Sequence, residues 1–150
     1  MNNLLLAKVK EVEQVLETVL PQGNTPPFPL HEAMRYALLG GGKRLRAIMV
    51  MAACESVGGE SRKAYGAAAA IEMIHAYSLV HDDLPSMDDD DLRRGKPTVH
   101  RKYGEAVAIL VGDALLTEAF AELARMPEKY GVDNETTVAV IAEIAAASGS

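Results

Sequence analysis

The sequence predicts an all-α fold. Apolar residues recur at spacings of three and four, glycine and proline punctuate the apolar runs, and no stretch alternates with period two between turn residues. Leu5, Val9, Val12, Leu16 and Val19 form the first stripe, that of an amphipathic helix ended by Pro21. The segment PQGNTPPFP is a proline-rich connection, and Pro29 suits the first turn of a second helix over Leu30 to Leu39. Gly40 to Gly42 break that helix. A third is expected from near Lys43 to Val57, a fourth from near Arg62 to Asp82, and two more near Tyr103 to Met126 and Asn134 to Ala147.

At 150 residues, 49% of them hydrophobic, the chain can bury a core of ordinary size as one domain. Its formal net charge is −6, and no basic stripe with interleaved aromatics occurs, which excludes nucleic acid as the expected partner. The single Cys54 lies in the apolar run AIMVMAAC and reads as a buried thiol in a reducing compartment. The opening MNNLLLAKVK is too briefly apolar for a secretory signal, and no run approaches the roughly 20 residues of a membrane span. These features predict a soluble cytoplasmic protein.

The fourth helix, AYGAAAAIEMIHAYSLVH, is apolar nearly all round, as befits a central helix whose alanines pack closely against others. Its polar exceptions are Glu72, His75, Ser78 and His81, and His75, Ser78, Leu79 and Asp82 share one face. Pro85 ends this helix near Asp82 and Asp83, two carboxylates at the negative end of the helix dipole. A bound cation reverses that unfavourable sign. Asp88 to Asp91 follow the loop LPSM, which can fold them back toward the same cation.

The spacing excludes an EF-hand, because Leu84 or Leu92 falls where an oxygen ligand is needed, and there is no cysteine–histidine cluster for zinc. Magnesium takes one or two carboxylates and completes its shell with water and phosphates, which suits the stretch. Arg93 and Arg94, just downstream, can meet the same phosphates as bidentate donors. A second basic site, GGGKRLRA, puts Lys43 and Arg46 three apart on one helical face at a helix start, where N–H groups favour anions. It is not a Walker loop, since Arg44 stands where Ser or Thr is required. His75 lies two turns before Asp82, about 10 Å along the axis, leaving room for a second diphosphate beside the first.

GGGKRLRA, IEMIHAYSLVHDDLPSMDDDDLRRGKPTVH and VGDALLTEAF resemble the N-terminal half of a trans-prenyl diphosphate synthase, the farnesyl and geranylgeranyl diphosphate synthase family. The resemblance runs over nearly the whole chain from Leu30, and its most specific element is D-D-x-x-x-x-D followed by R-R-G. It implies a helical bundle of the isoprenoid (terpenoid) synthase type, with residues 1–150 the N-terminal part of a single domain. It implies that Asp82 and Asp88 hold magnesium on an allylic diphosphate, with Asp83 assisting and Arg93 binding that diphosphate. Lys43, Arg46, His75 and Arg94 are implied to bind isopentenyl diphosphate, and a homodimer is implied as the assembly. Ala47 departs from the proline usual in the family without loss of charge.

Family members are about twice as long and carry a second aspartate-rich motif, which this sequence lacks, so a truncated and by itself inactive form is expected. The implied reaction is ionisation of the allylic diphosphate, assisted by magnesium and arginine, followed by attack of isopentenyl diphosphate. Tyr77 and Ser78, five and four residues before Asp82, lie about one turn, roughly 5.4 Å, below the metal. There Tyr77 can floor the growing chain. By resemblance, the acidic motif with its Pro85-containing insertion implies a bacterial-type farnesyl diphosphate synthase. Geranylgeranyl diphosphate synthase and a non-catalytic helical diphosphate- or metal-binding subunit are the alternatives. A terpene cyclase would need only one diphosphate and leaves Lys43, Arg46 and His75 unexplained.

Overall fold

Proline and glycine set the helix boundaries. The computed structural model describes residues 3–149, with side chains from Leu5 onward. Helix α1 (Asn3–Val19) buries Val12, Leu16 and Val19 and stops before Pro21. Helix α2 (Phe28–Leu39) carries Pro29 in its first turn, where a missing N–H costs nothing, and ends at Gly40. Helix α3 (Leu45–Ser56) is followed by a 3-10 turn (Ser61–Ala64) that leads into α4 (Tyr65–Asp82). Beyond the acidic loop come α5 (Val99–Tyr103), α6 (Glu105–Ala124), α7 (Met126–Tyr130) and α8 (Asn134–Ser148). Asp133 caps α8 by accepting the Thr136 N–H at 2.8 Å.

The most extensive helix pairing joins α4 and α6. Small residues make it close: Ala68, Ala69 and Ala76 of α4 and Ala108 and Ala119 of α6 are buried. At Gly112 the approach is closest, because a Cβ there would lie 2.0 Å from His81 Nε2. That imidazole nitrogen instead donates to the Ile109 carbonyl at 3.1 Å and ties the end of α4 to α6. The two apolar helices are therefore locked near the end of α4 that carries the aspartates.

Several boundaries differ from the sequence reading. The third helix starts two residues after Lys43, because Arg44 adopts a left-handed conformation with φ 52°. Gly104, with φ 89°, separates α5 from α6 where one helix from Tyr103 was expected. Arg125 and Pro127 likewise divide α6 from the short α7. Strands were not expected, yet a two-residue antiparallel ladder, β1 (Leu92–Arg93) with β2 (Lys96–Pro97), pairs Arg93 with Lys96 and Leu92 with Pro97. Cys54 is half-buried instead of fully enclosed, and its Sγ–H donates to the Glu60 carbonyl at 3.4 Å.

Glu122 of α6 is completely buried, and it accepts from Tyr130 Oη and Lys129 Nζ, both at 2.6 Å. Burial and the Glu122 bond push the Tyr130 hydroxyl well above the usual phenol range. Glu122→Gln keeps one acceptor oxygen but places an amide against the Lys129 ammonium. It is expected to cost about 2 kcal/mol, lowering Tm by roughly 4–8 °C in a domain of this size. A thermal melt indistinguishable from wild type would show that the network contributes nothing.

Candidate diphosphate and metal site

The acidic end of α4 is built by backbone turns. The Asp83 N–H donates to the Leu79 carbonyl and continues the helix, while Pro85 prevents a further turn. The loop then closes on itself: the Asp88 N–H donates to the Asp82 carbonyl at 2.8 Å, and the Asp89 N–H to that of Leu84 at 3.1 Å. Asp89 takes a left-handed φ of 52° in this turn. Asp88 is thereby returned to the helix end that carries Asp82. Asp82 is half-buried and Asp88 exposed, so both carboxylates can meet a ligand from solvent.

Asp83 has a different place. It is 3% exposed, and both its oxygens accept from Arg93 Nε, at 3.0 and 2.9 Å. The paired carboxylate raises the Arg93 guanidinium above its ordinary value and keeps it charged. Arg93 is therefore anchored to α4 by a fork-shaped bond, and the Asp83 carboxylate is committed to it. In this geometry Asp83 holds an arginine at the site, while Asp82 and Asp88, brought together by the returning loop, keep their carboxylates open to solvent.

The two arginines of the R-R-G motif part company at the hairpin. Arg94 and Gly95 are its two loop residues, with φ of 53° and 75°, the pattern of a type I′ turn. Arg93 stays on the strand and turns to Asp83. Arg94 swings over Gly42, whose missing Cβ would sit 2.8 Å from Arg94 Nη1. Glycine at 42 thus permits the arginine to close on the loop before α3. Tyr36 of α2 fastens the far strand by donating to the Pro97 carbonyl at 2.8 Å.

The consequence is an open basin of about 430 Å³ lined by Gly42, Lys43, Arg44, Leu45, Arg46, Glu72, His75 and Arg94. Lys43, Arg46, His75 and Arg94 come from the α2–α3 loop, α3, α4 and the hairpin, and they meet on one cavity. Lys43 lies just before α3, so it reaches the basin from the loop and not from a shared helical face with Arg46. Burial and the facing Arg46 hold the His75 imidazole below its ordinary value, with Arg94 and Arg93 adding to the effect and Glu72 opposing it. Cationic side chains predominate in the basin lining, with Glu72 the one carboxylate among them. A narrower cavity shares His75 and Arg94 with the basin and is lined as well by Leu79, Asp83 and Arg93.

Below the basin, Arg46, Ile71, Ile74, His75, Tyr77 and Ser78 line a trough of about 320 Å³ together with Ile144, Ala147 and Ser148 of α8. Tyr77 is half-buried, its ring edge-on to His81 with centroids 5.8 Å apart. The Ser78 hydroxyl donates to the His75 carbonyl one turn back, at 3.0 Å.

Among the described residues no three His, Cys, Asp or Glu side chains gather into a cage able to hold a metal by themselves. Two accessible carboxylates at a helix end fit a hard cation that completes its shell from water and a diphosphate, as magnesium does. The donor set does not fit zinc.

A family model described as polyprenyl synthetase matches residues 28–148. The chain belongs to the polyprenyl synthetase family. It is 50% identical over 146 residues to a heterodimeric geranylgeranyl pyrophosphate synthase large subunit of Arabidopsis thaliana, covering 97% of this chain and 39% of the relative. A chloroplastic geranylgeranyl pyrophosphate synthase of Capsicum annuum is 54% identical over 124 residues, covering 83% of this chain and 33% of that one. The fold is that of the isoprenoid synthases. An FPP/GFPP synthase from Zymomonas mobilis superposes with a TM-score of 0.89 at 42% identity, over 97% of this chain and 52% of that one. A geranyltransferase from Legionella pneumophila gives 0.91 at 38% identity, over 97% and 51%. The chain spans about two fifths of the length of the curated relatives it matches.

Proposed function

We propose that this chain supplies the diphosphate-binding half of a prenyltransferase site that joins isopentenyl diphosphate to an allylic diphosphate. The observation that carries this reading is the convergence of Lys43, Arg46, His75 and Arg94 on one basin beside the acidic end of α4. One diphosphate needs one cluster of charge; two adjoining clusters, one acidic with an anchored arginine and one basic, suit two.

In this reading Asp82 and Asp88 hold magnesium, which when bound screens the charge of a departing diphosphate. Arg93, pinned by Asp83, is held toward the same leaving group, so no reorientation is needed as charge develops there. Lys43, Arg46, His75 and Arg94 hold the diphosphate of the isopentenyl partner, orienting its double bond toward the allylic carbon. The allylic C–O bond breaks with its electron pair leaving on the diphosphate, the double bond forms the new C–C bond, and a proton is lost to restore an alkene. The released diphosphate is the acceptor we assign for that proton.

The test is consumption of isopentenyl diphosphate, with an allylic diphosphate and magnesium, by an enzyme of the relatives' length that carries this segment. Magnesium-dependent diphosphate binding without condensation would instead support the non-catalytic subunit.

Product length belongs to the same proposal. The relatives' names support a geranylgeranyl product better than the farnesyl product expected from the acidic motif, and the trough below the basin is where the difference is made. Tyr77 lines that trough, and in this reading a prenyl tail descending along α4 meets it. Tyr77→Ala is expected to shift the products by at least one isoprene unit toward longer chains, read by chromatography of the dephosphorylated alcohols. An unchanged spectrum would remove Tyr77 from the floor.

Among the described residues no helix is long and apolar enough to cross a membrane. We assign the chain to the cytoplasm, with a plastid stroma as the alternative that the relatives' chloroplastic names support. We further propose pairing with a second copy. Ile109 and Leu110 stand exposed on α6, and burying them would favour association. The Arabidopsis relative is by name a heterodimeric subunit, so light scattering of the protein alone and with an unlike subunit distinguishes the two assemblies.

A further inference from the structure

Three cations stand within four residues at the start of α3, and they face different ways. Lys43 and Arg46 are exposed on the basin wall, whereas Arg44 between them is 5% exposed and turned inward. Its nitrogens each have a separate acceptor: Nε donates to Glu13 Oε1 at 2.6 Å, Nη1 to Glu72 Oε2 at 3.3 Å, and Nη2 to the Leu38 carbonyl at 2.8 Å. These acceptors belong to α1, α4 and α2. A planar guanidinium can serve three directions at once; a lysine ammonium on a flexible stem does not reproduce that fork.

The backbone shows what the fork holds. Arg44 has φ 52° and ψ 27°, a left-handed conformation uncommon outside glycine that persists only where the surroundings enforce it. Its carbonyl accepts the Ile48 N–H and opens α3, yet its side chain gives the helix no cap. The cap comes from α4. Glu72, 4% exposed, accepts the Ala47 N–H on Oε1 at 3.2 Å while its other oxygen takes Arg44. Glu72 stands one turn before His75 on the same helix, so one carboxylate ties the loop of Lys43 and Arg46 to the helix of His75.

We propose that Arg44 and Glu72 are positioning residues for the basin: their buried pair fixes the backbone from Lys43 to Arg46 so that these two cations and His75 face one anion. The proposal rests on the reading of the basin as a diphosphate site. A carboxylate in the wall of an anion site opposes the anion by its charge. Its presence there is accounted for by the geometry it enforces.

Charge and geometry make opposite predictions, which gives the test. The chain is titrated with inorganic pyrophosphate in magnesium-free buffer by calorimetry, well below the melting temperature of each variant. Arg44→Lys conserves the charge, and Glu72→Gln removes a negative charge from the wall. If charge alone mattered, the first would bind as wild type and the second more tightly. Positioning predicts that both bind about tenfold more weakly, as a small misplacement of the facing cations does.

Wild-type or tighter binding in the folded variants overturns the proposal. If Arg44→Lys does not fold, Glu72→Gln, nearly isosteric and still able to accept the Ala47 N–H, decides alone. Arg46→Ala separates the two levels of the argument. Should it bind pyrophosphate as wild type does, the basin reading fails. Should it weaken binding while Arg44→Lys and Glu72→Gln do not, only the positioning role falls.

Discussion

Asp82→Asn and Asp88→Asn are each expected to lower magnesium-dependent turnover by on the order of a hundred- to a thousandfold, the scale of losing one electrostatic contact to developing charge. Both residues are reachable from solvent at the end of α4, and the Asp88 N–H on the Asp82 carbonyl keeps the two segments together. An amide of the same shape preserves that turn and removes only the negative oxygen, so the loss reports on the cation. The measurement is the initial rate, at a magnesium concentration that saturates the wild type, in an enzyme of the relatives' length, with the melting temperature as a check on folding.

Asp90→Asn is the control. Asp90 is exposed and lies 3.8 Å from Arg93, a distance at which a surface pair contributes little, so its rate is expected within about twofold of wild type. Normal turnover in both Asp82→Asn and Asp88→Asn would sink the metal assignment. Asp83→Asn should behave differently from either. It loosens the anchored Arg93, so the defect should persist when magnesium is raised, whereas a metal-ligand defect is partly relieved by more metal.

The sequence made most of the scaffold readable because its helices are stopped by residues with local reasons to stop them. Pro21, Pro29, the Gly40–Gly42 run and Pro85 act within one turn of themselves and need no knowledge of the rest of the chain. The same holds for Asp82 and Asp88, which sit at a helix end and its returning loop. What escaped reading depends on partners far along the chain. Arg44 looks like one more solvated cation in GGGKRLRA, and its burial follows only from Glu13 and Glu72, which lie 31 and 28 residues away.

Asp83 is another case. Adjacent carboxylates in a motif read alike, yet the helix turns one to solvent and the other inward to Arg93. The hairpin had a local signal, the Arg94-Gly95 pair, but arginine is a poor marker of a type I′ turn and the flanking strands are only two residues each. Glu122 is one of four acids in α6, and nothing local marks it as the buried one. Its partners Lys129 and Tyr130 come from a helix not anticipated, α7.

Arg46→Ala is expected to raise the KM for isopentenyl diphosphate roughly tenfold to a hundredfold, the cost of a charge-assisted contact or a bidentate pair. The KM for the allylic partner should change little, because that diphosphate is assigned to Arg93 and the aspartates. The same residue governs the His75 imidazole. Burial and Arg46 are the two largest causes that hold its pKa below the ordinary value, so in Arg46→Ala the pKa should move back up, as read by NMR of the imidazole carbons.

A diphosphate in the basin supplies the opposite charge and should raise the same pKa in the wild-type chain. The sign of the linkage follows: between the lowered free value and the raised bound value, binding takes up a proton, and affinity strengthens as pH falls through that interval. Pyrophosphate protonates in its own right, so the relevant quantity is the part of the pH dependence that disappears in His75→Gln. Equal KM changes for both substrates in Arg46→Ala, or an imidazole pKa indifferent to pyrophosphate, would show that the two diphosphates do not occupy separate clusters of this site.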